Sequence, residues 1–287
     1  MGWDEFLLLW CAVWGVVALV GFGRSLCGVT EAQRTVRFTG RIERVREPRH
    51  GGSRTGGIWV VVSYRDPASG QEVTVTNDGE RGEMITCAWE GREIGVGYPR
   101  GRPHAYRFSN TPEAPSRGLG WPSFASFLVY VGLVVLVAIG WGWPWALSGF
   151  GGPLAISGAV QLPRAVREKN RRVERLAAMD TVRGRIVAVL KDVSVDQDDG
   201  HTSTTITPVV AFATREGVAV TAHCTSNLPE PAGAYGRDVT VHYTSADPAE
   251  FTLDRAAEHR SEQQDVTFHV LAVVVLIATA VAGVVML

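Results

Sequence analysis

Apolar residues run without a break from Phe6 to Phe22, long enough to approach a bilayer crossing as a helix. The run opens on Asp4 and Glu5 and closes on Gly-Arg-Ser-Leu-Cys, without the basic start and small-residue cleavage site of a secretory signal. A retained transmembrane helix over 6–22 is therefore expected. Ser123–Trp141 and Phe268–Met286 are two further runs of this kind. Trp143–Leu162 is weaker, because Pro144, Pro153 and several glycines interrupt it. Beyond it, Arg164–Arg175 carries six Lys/Arg, and residues 164–178 read as a basic helical linker at a membrane boundary.

Between these runs the period changes to two. Within residues 35–110, alternation predicts strands at Arg41–Val45, Ile58–Tyr64, Val73–Thr76, Ile94–Tyr98 and around Tyr106. Gly51–Gly57 reads as a flexible turn. Asp66-Pro-Ala-Ser-Gly70 reads as a tight turn, since Pro presets φ and Gly tolerates positive φ. Residues 180–253 read the same way, with Asp199-Gly200 as a turn dipeptide. Strands this close together predict a small barrel or a strongly twisted antiparallel sheet in each segment.

The two β segments share a text. Gly91-Arg-Glu-Ile-Gly-Val-Gly-Tyr98 returns as Gly236-Arg-Asp-Val-Thr-Val-His-Tyr243, 145 positions later. At the same offset Val73–Thr76 falls on Val218–Thr221, Pro103 on Pro248, Tyr106 on Phe251 and Phe108 on Leu253. Gly40-Arg-Ile42 falls on Gly184-Arg-Ile186 at 144. Blocks at nearly one offset point to one unit used twice. Ser123–Trp141 shifts onto Phe268–Met286, so each β domain precedes a helix at the same distance. Symmetry then asks for a helix before the second domain, and Trp143–Leu162 is the candidate. The expected fold is mixed membrane α plus all-β: transmembrane helices at 6–22, 123–141, 143–162 and 268–286, with homologous β domains at 35–110 and 180–253.

Composition agrees with a membrane-anchored chain, at 46% apolar and 20% charged residues. A net charge of −1 argues against nucleic-acid binding by the whole chain. Lys and Arg near the membrane ends all fall on the β-domain side, which predicts cytoplasmic β domains and outer termini in a plasma membrane. Residues 35–110 carry a net +3 and residues 180–253 a net −5, so contact between the two β domains is a further expectation.

Chemical motifs are sparse. Cys11, Cys27, Cys87 and Cys224 show neither metal-site nor disulfide-framework spacing. His223 and His242 are expected on solvent-facing strand positions rather than around a metal. Asp196, Asp198 and Asp199 before Gly200 miss the closing Glu of a calcium loop, because position 207 is Thr; an acidic hairpin tip is the better reading. The glycines at 51, 52, 56 and 57 lack the Lys-Ser/Thr of a phosphate loop. The sequence assigns no catalytic residue, cofactor-binding residue, metal ligand or cofactor. No charged residue interrupts the apolar runs, which argues against transport by this chain alone.

At Gly184-Arg-Ile186 and Val239-Thr-Val-His-Tyr243-Thr-Ser-Ala-Asp-Pro248, the chain resembles a bacterial, actinobacterial-type membrane-protein family with a small β domain and no assigned function. That family pairs a transmembrane helix and Gly-x-Val/Ile with a strand of the form Val-x-Val-x-Tyr-Asp/Asn-Pro-x-x-Pro. Here Thr244 and Ser245 replace the usual Asp-Pro, and Pro99-Arg-Gly-Arg-Pro103 keeps only the second Pro. The resemblance implies the architecture and no site residues. The functional expectation is a non-enzymatic scaffold or interaction protein whose paired β modules meet a membrane or cytoplasmic protein at one membrane face. The alternative is an accessory subunit of a transporter or protease complex. In that reading the helices at 123–141 and 143–162 form the docking surface, and their small residues Gly132, Gly149, Gly151, Gly152 and Gly158 permit close helix packing.

Overall fold

The computed structural model describes residues 2–54, 57–67, 69–77, 82–102, 104–112, 117–195, 202–224 and 228–287. The readings made above on Gly56, Ala68, Pro103, Asp196, Asp198, Asp199 and Gly200 lie outside them. The chain divides into two units. A helical unit holds Met1–Arg34, Ser116–Glu174 and His259–Leu287, and a β unit holds Thr35–Pro115 and Arg175–Glu258.

In the helical unit, α1 spans Trp3–Leu26. Asp4 and Glu5 sit in its first turn, where carboxylates meet the positive end of the helix dipole. Its end is set by Gly28 at φ 70°, which lets the Gly28 and Val29 amides turn back to the Ser25 and Arg24 carbonyls. The one-turn helix α2 follows at Glu31–Arg34. Helix α3 is Gly120–Trp141, and Gly142 at φ 103° turns the chain directly into α4, Trp143–Ala178. Helix α5 is Arg255–Val285.

Antiparallel pairing runs through the unit, and small residues set it. A Cβ on Gly132 would lie 2.6 Å from Cys11 Sγ, and one on Gly21 would lie 2.5 Å from Pro122, so α1 and α3 touch along their length. Gly149 packs on Val134 of α3, and the Tyr130 hydroxyl donates to the Gly149 carbonyl. On the other flank of α4, Gly151 meets Ala280 and Gly158 meets Val273, while Gly283 of α5 meets Ser148. Of the glycines expected to dock a partner, Gly132, Gly149, Gly151 and Gly158 therefore close contacts inside this chain.

Among the described residues three helices, α1, α3 and α5, are long and apolar enough to cross a membrane. The fourth expected run, Trp143–Leu162, does not meet that measure. Trp143–Leu162 is helical, but it is the front of one 36-residue helix that continues through the basic segment to Ala178. Its glycines, Ser148, Ser157 and Gln161 dilute the apolar surface that the other three carry. The other helices also exceed their apolar runs. At about 1.5 Å per residue, α5 is about 46 Å long against a hydrocarbon core of about 30 Å, and its first turns are polar.

The β unit contains two antiparallel sheets. The first segment supplies β1 (Thr35–Arg46), β2 (Trp59–Arg65), β3 (Glu72–Thr76), β4 (Cys87–Ala88), β5 (Glu93–Pro99) and β6 (Arg107–Ser109). The second supplies β7 (Asp180–Val195), β8 (Thr202–Ala213), β9 (Ala219–His223), β10 (Asp238–Thr244) and β11 (Asp247–Thr252). The first sheet has the order β3-β2-β1-β5-β6 and the second β11-β10-β7-β8-β9-β4. Leaving β4 aside, one order is the other with equivalent strands substituted.

The equivalence extends to single atoms. Gly40 faces Ile94 and Gly184 faces Val239. A Cβ on Gly40 would come within 2.8 Å of both Val62 and Val96, and one on Gly184 within 3.0 Å of both Val210 and Val241. Two residues on, both central strands bulge, at Ile42/Arg44 and at Ile186/Ala188. The Gly91 amide donates to the Ile42 carbonyl at 2.7 Å, as Gly236 does to Ile186 at 2.8 Å. Ile42 and Ile186 in turn donate to the carbonyls of Arg92 and Arg237, both at 2.9 Å. Both glycines hold positive φ, 90° and 76°, which explains why the Gly-Arg pair recurs. The Tyr98 hydroxyl reaches Asp66 in the β2–β3 turn, and Tyr243 accepts from the Arg215 amide in the β8–β9 turn.

One sequence equivalence is corrected. Val75 faces Val62 and Ala222 faces Val210, so β3 corresponds to β9 at an offset of 147, not 145. A slip of two residues leaves every side chain on its own face, so alternation alone cannot detect it.

Gly184→Val should destabilise the β unit by about 1–3 kcal/mol through overpacking, read as lost hydrogen-exchange protection in β7, β8 and β10 of the solubilised chain. Gly23→Ala, whose Cβ meets nothing within 4 Å, should leave that protection unchanged.

Candidate functional site at the junction of the two sheets

The residues that join the sheets come from a stretch too short to announce itself as a strand. Ile85 and Ala88 are buried in the core of the first sheet with Ile42, Ile58 and Ile94. Cys87 is buried in the core of the second with Val220, Ala222 and Cys224, and Trp89 packs beside it. The backbone between them pairs Cys87 with Ala222 and Ala88 with Thr221, and the His223 amide donates to the Thr86 carbonyl at 2.7 Å. Strand β4 thus belongs to the first segment by sequence and to the second sheet by hydrogen bonding.

Polar groups of the first segment hold β4 in place. The Asn110 side chain accepts from the Thr86 amide at 3.0 Å and donates to the Met84 carbonyl at 2.8 Å. Arg92 donates to the carbonyls of Cys87 and Asn110 and lies over the Trp89 ring, 4.9 Å from its centroid. These are charge-assisted bonds from a largely buried guanidinium, stronger than neutral ones.

A second set of contacts runs along β7. The Gly51 amide donates to the Val189 carbonyl at 2.9 Å and the Lys191 amide to the Gly52 carbonyl at 3.0 Å. His50 Nδ1 accepts from the Val189 amide at 3.2 Å, and its ring stacks on Tyr235 at 4.1 Å between centroids. Asp192 accepts from the Ser53 hydroxyl at 2.6 Å and the Arg54 amide at 3.0 Å. The turn expected to be flexible is docked through its described residues because β7 supplies its hydrogen bonds.

His223 overturns its expected position. It does lie on the face opposite Val220 and Cys224, but that face is covered, and the residue is only 4% exposed. Among the described residues neither ring nitrogen has a partner, and Arg54 Nε is also buried without one. Burial, with the nearby Arg54 cation, pushes the imidazole down to about 4. His242 sits apart from it, on β10, with Nδ1 3.0 Å from the Thr181 hydroxyl; burial lowers it as well. Burial pushes both Cys87 and Cys224 up to about 12, so at neutral pH they are thiols rather than thiolate nucleophiles. Among the described residues no group of three His, Cys, Asp or Glu could hold a metal ion. What the arrangement does physically is fix one sheet against the other. Sequence reasoning missed Thr86, Asn110, His50 and Asp192, since none stands in a recognisable spacing, and it marked Arg92 only as part of the repeated Gly-Arg text.

No protein family, curated protein or solved structure matches the chain.

His223 predicts acid sensitivity. Its folded value lies near 4 and the ordinary value is 6.5, so between them the unfolded chain binds a proton that the folded chain does not. Stability should be full above pH 6.5 and fall by up to about 3 kcal/mol as the pH drops toward 4. The urea midpoint of the solubilised chain at pH 7 and pH 4.5 measures this, and His223→Gln should flatten the difference.

Proposed function

We propose that this chain is an integral membrane protein that presents two β modules as a single interaction platform. The observation that carries this reading is the shared strand. With Cys87 in one core and Ala88 in the other, the modules cannot separate without opening both. A joined pair of sheets, without an activated nucleophile among the described residues, suits recognition and scaffolding better than covalent chemistry. Three apolar helices support the membrane assignment. The front of α4 is proposed as a fourth crossing, shielded by α3 and α5 through Gly149, Gly151 and Gly158, with Leu154, Ile156 and Val160 left facing lipid.

The Lys and Arg near the helix ends lie on the module side, which supports modules that face the cytoplasm. The equivalent strand order and glycine contacts support descent from one duplicated unit, in keeping with the bacterial family that the chain resembles. The accessory-subunit reading loses most of its proposed docking surface, since four of the five glycines are filled within the chain.

Affinity capture from solubilised membranes tests the platform, comparing the full chain with one whose two β modules are replaced by Gly/Ser linkers. A partner held only by the full chain is expected. Partners held equally by both would move the interaction to the helices, and no partner at all would remove the platform reading.

Sidedness is checked in intact cells with an impermeant thiol reagent, using Gln71→Cys and Glu216→Cys in a Cys27→Ser background. Both positions are exposed, and the native Cys87 and Cys224 are buried. Both introduced thiols should stay protected until lysis. Reaction at only one would mean that the front of α4 does not cross.

A further inference from the structure

Where α4 and α5 leave their glycine seam, the paired helices change character within one turn. Seven residues beyond the Gly158–Val273 contact, Ala165 and Val266 floor an open groove of about 470 Å³. Its walls are Arg164, Glu168 and Lys169 of α4, and Asp265 and His269 of α5, with Gln161 at one end. The groove therefore holds two cations and two carboxylates on facing helices. Among the described residues, neither Arg164 nor Lys169 pairs with Glu168 or Asp265. The apolar run of α5 begins at this level, at Phe268.

On the membrane reading given above, this level is the boundary between hydrocarbon and water. We infer that the groove binds one phospholipid whose headgroup carries both a phosphate and a primary ammonium, as phosphatidylethanolamine does. Arg164 and Lys169 donate to the phosphate oxygens, and Asp265 and Glu168 accept from the ammonium. The acyl chains extend from the groove toward the level where the apolar run of α5 begins. The pairing of charges sets the choice. A phosphatidylglycerol headgroup leaves both carboxylates facing an anionic lipid without a cation. A choline headgroup has no N–H to donate to them.

The test uses the purified full chain with equal amounts of phosphatidylethanolamine, phosphatidylcholine and phosphatidylglycerol, and counts retained lipid by native mass spectrometry. One retained phosphatidylethanolamine, enriched about tenfold over either competitor, is expected. Asp265→Asn should abolish the preference over phosphatidylglycerol, and Arg164→Gln should lower retention of phosphatidylethanolamine itself. Equal retention of all three lipids, a preference for phosphatidylglycerol, or an unchanged preference in Asp265→Asn overturns the inference. Soluble phosphoethanolamine added in excess should not displace the lipid; displacement would assign the groove to a soluble ligand instead. Extraction of native membranes with alkaline carbonate separates the two readings. Release of the chain removes the membrane assignment, whereas retention without lipid preference removes only the lipid site.

Discussion

Two adjacent residues, Cys87 and Ala88, point their side chains into different hydrophobic cores, and this alternation ties the β unit together. A strand has two faces, and in an isolated sheet one of them meets water. Here both faces of a two-residue strand are buried, because each belongs to a different sheet. Polar contacts on both sides fix that placement. Asn110 and Arg92 hold the strand from the first module, and the His223 amide receives it in the second.

The two modules differ where they meet and agree where each must fold alone. Gly40 and Gly184 lie under paired valines with no room for a Cβ, and Gly91 and Gly236 turn the chain at positive φ. Such positions tolerate little else. The Tyr98 and Tyr243 hydroxyls end in equivalent turns but use different partners, because the hydroxyl can donate or accept. At the place where the first module forms β4, the second has a short 3₁₀ helix at Pro231–Gly233. The exchange is therefore one-way, with no reciprocal strand among the described residues.

In the helical unit the organising feature is small residues rather than apolar bulk. α1, α3 and α5 carry large exposed side chains such as Leu19, Phe124 and Leu271, while α4 contributes glycines that admit its neighbours. On the proposed membrane reading, helices surrounded by lipid gain little from burying leucine against leucine, so close backbone approach takes over. This also explains why a hydropathy criterion passes three helices and not the fourth.

Local chemistry was enough to write most of the fold in the sequence. Unbroken apolar runs marked α1, α3 and α5, period-two alternation marked the sheets, and the repeated Gly-Arg and Val-x-Val-x-Tyr text marked equivalent strands, because these signals depend on neighbours a few residues away. The junction was not legible. Thr86-Cys-Ala88 is too short to show a period, His223 shows a correct face but not what covers it, and an offset of 145 or 147 gives the same alternation. Those matters depend on which distant segment arrives opposite, and only the tertiary structure decided them.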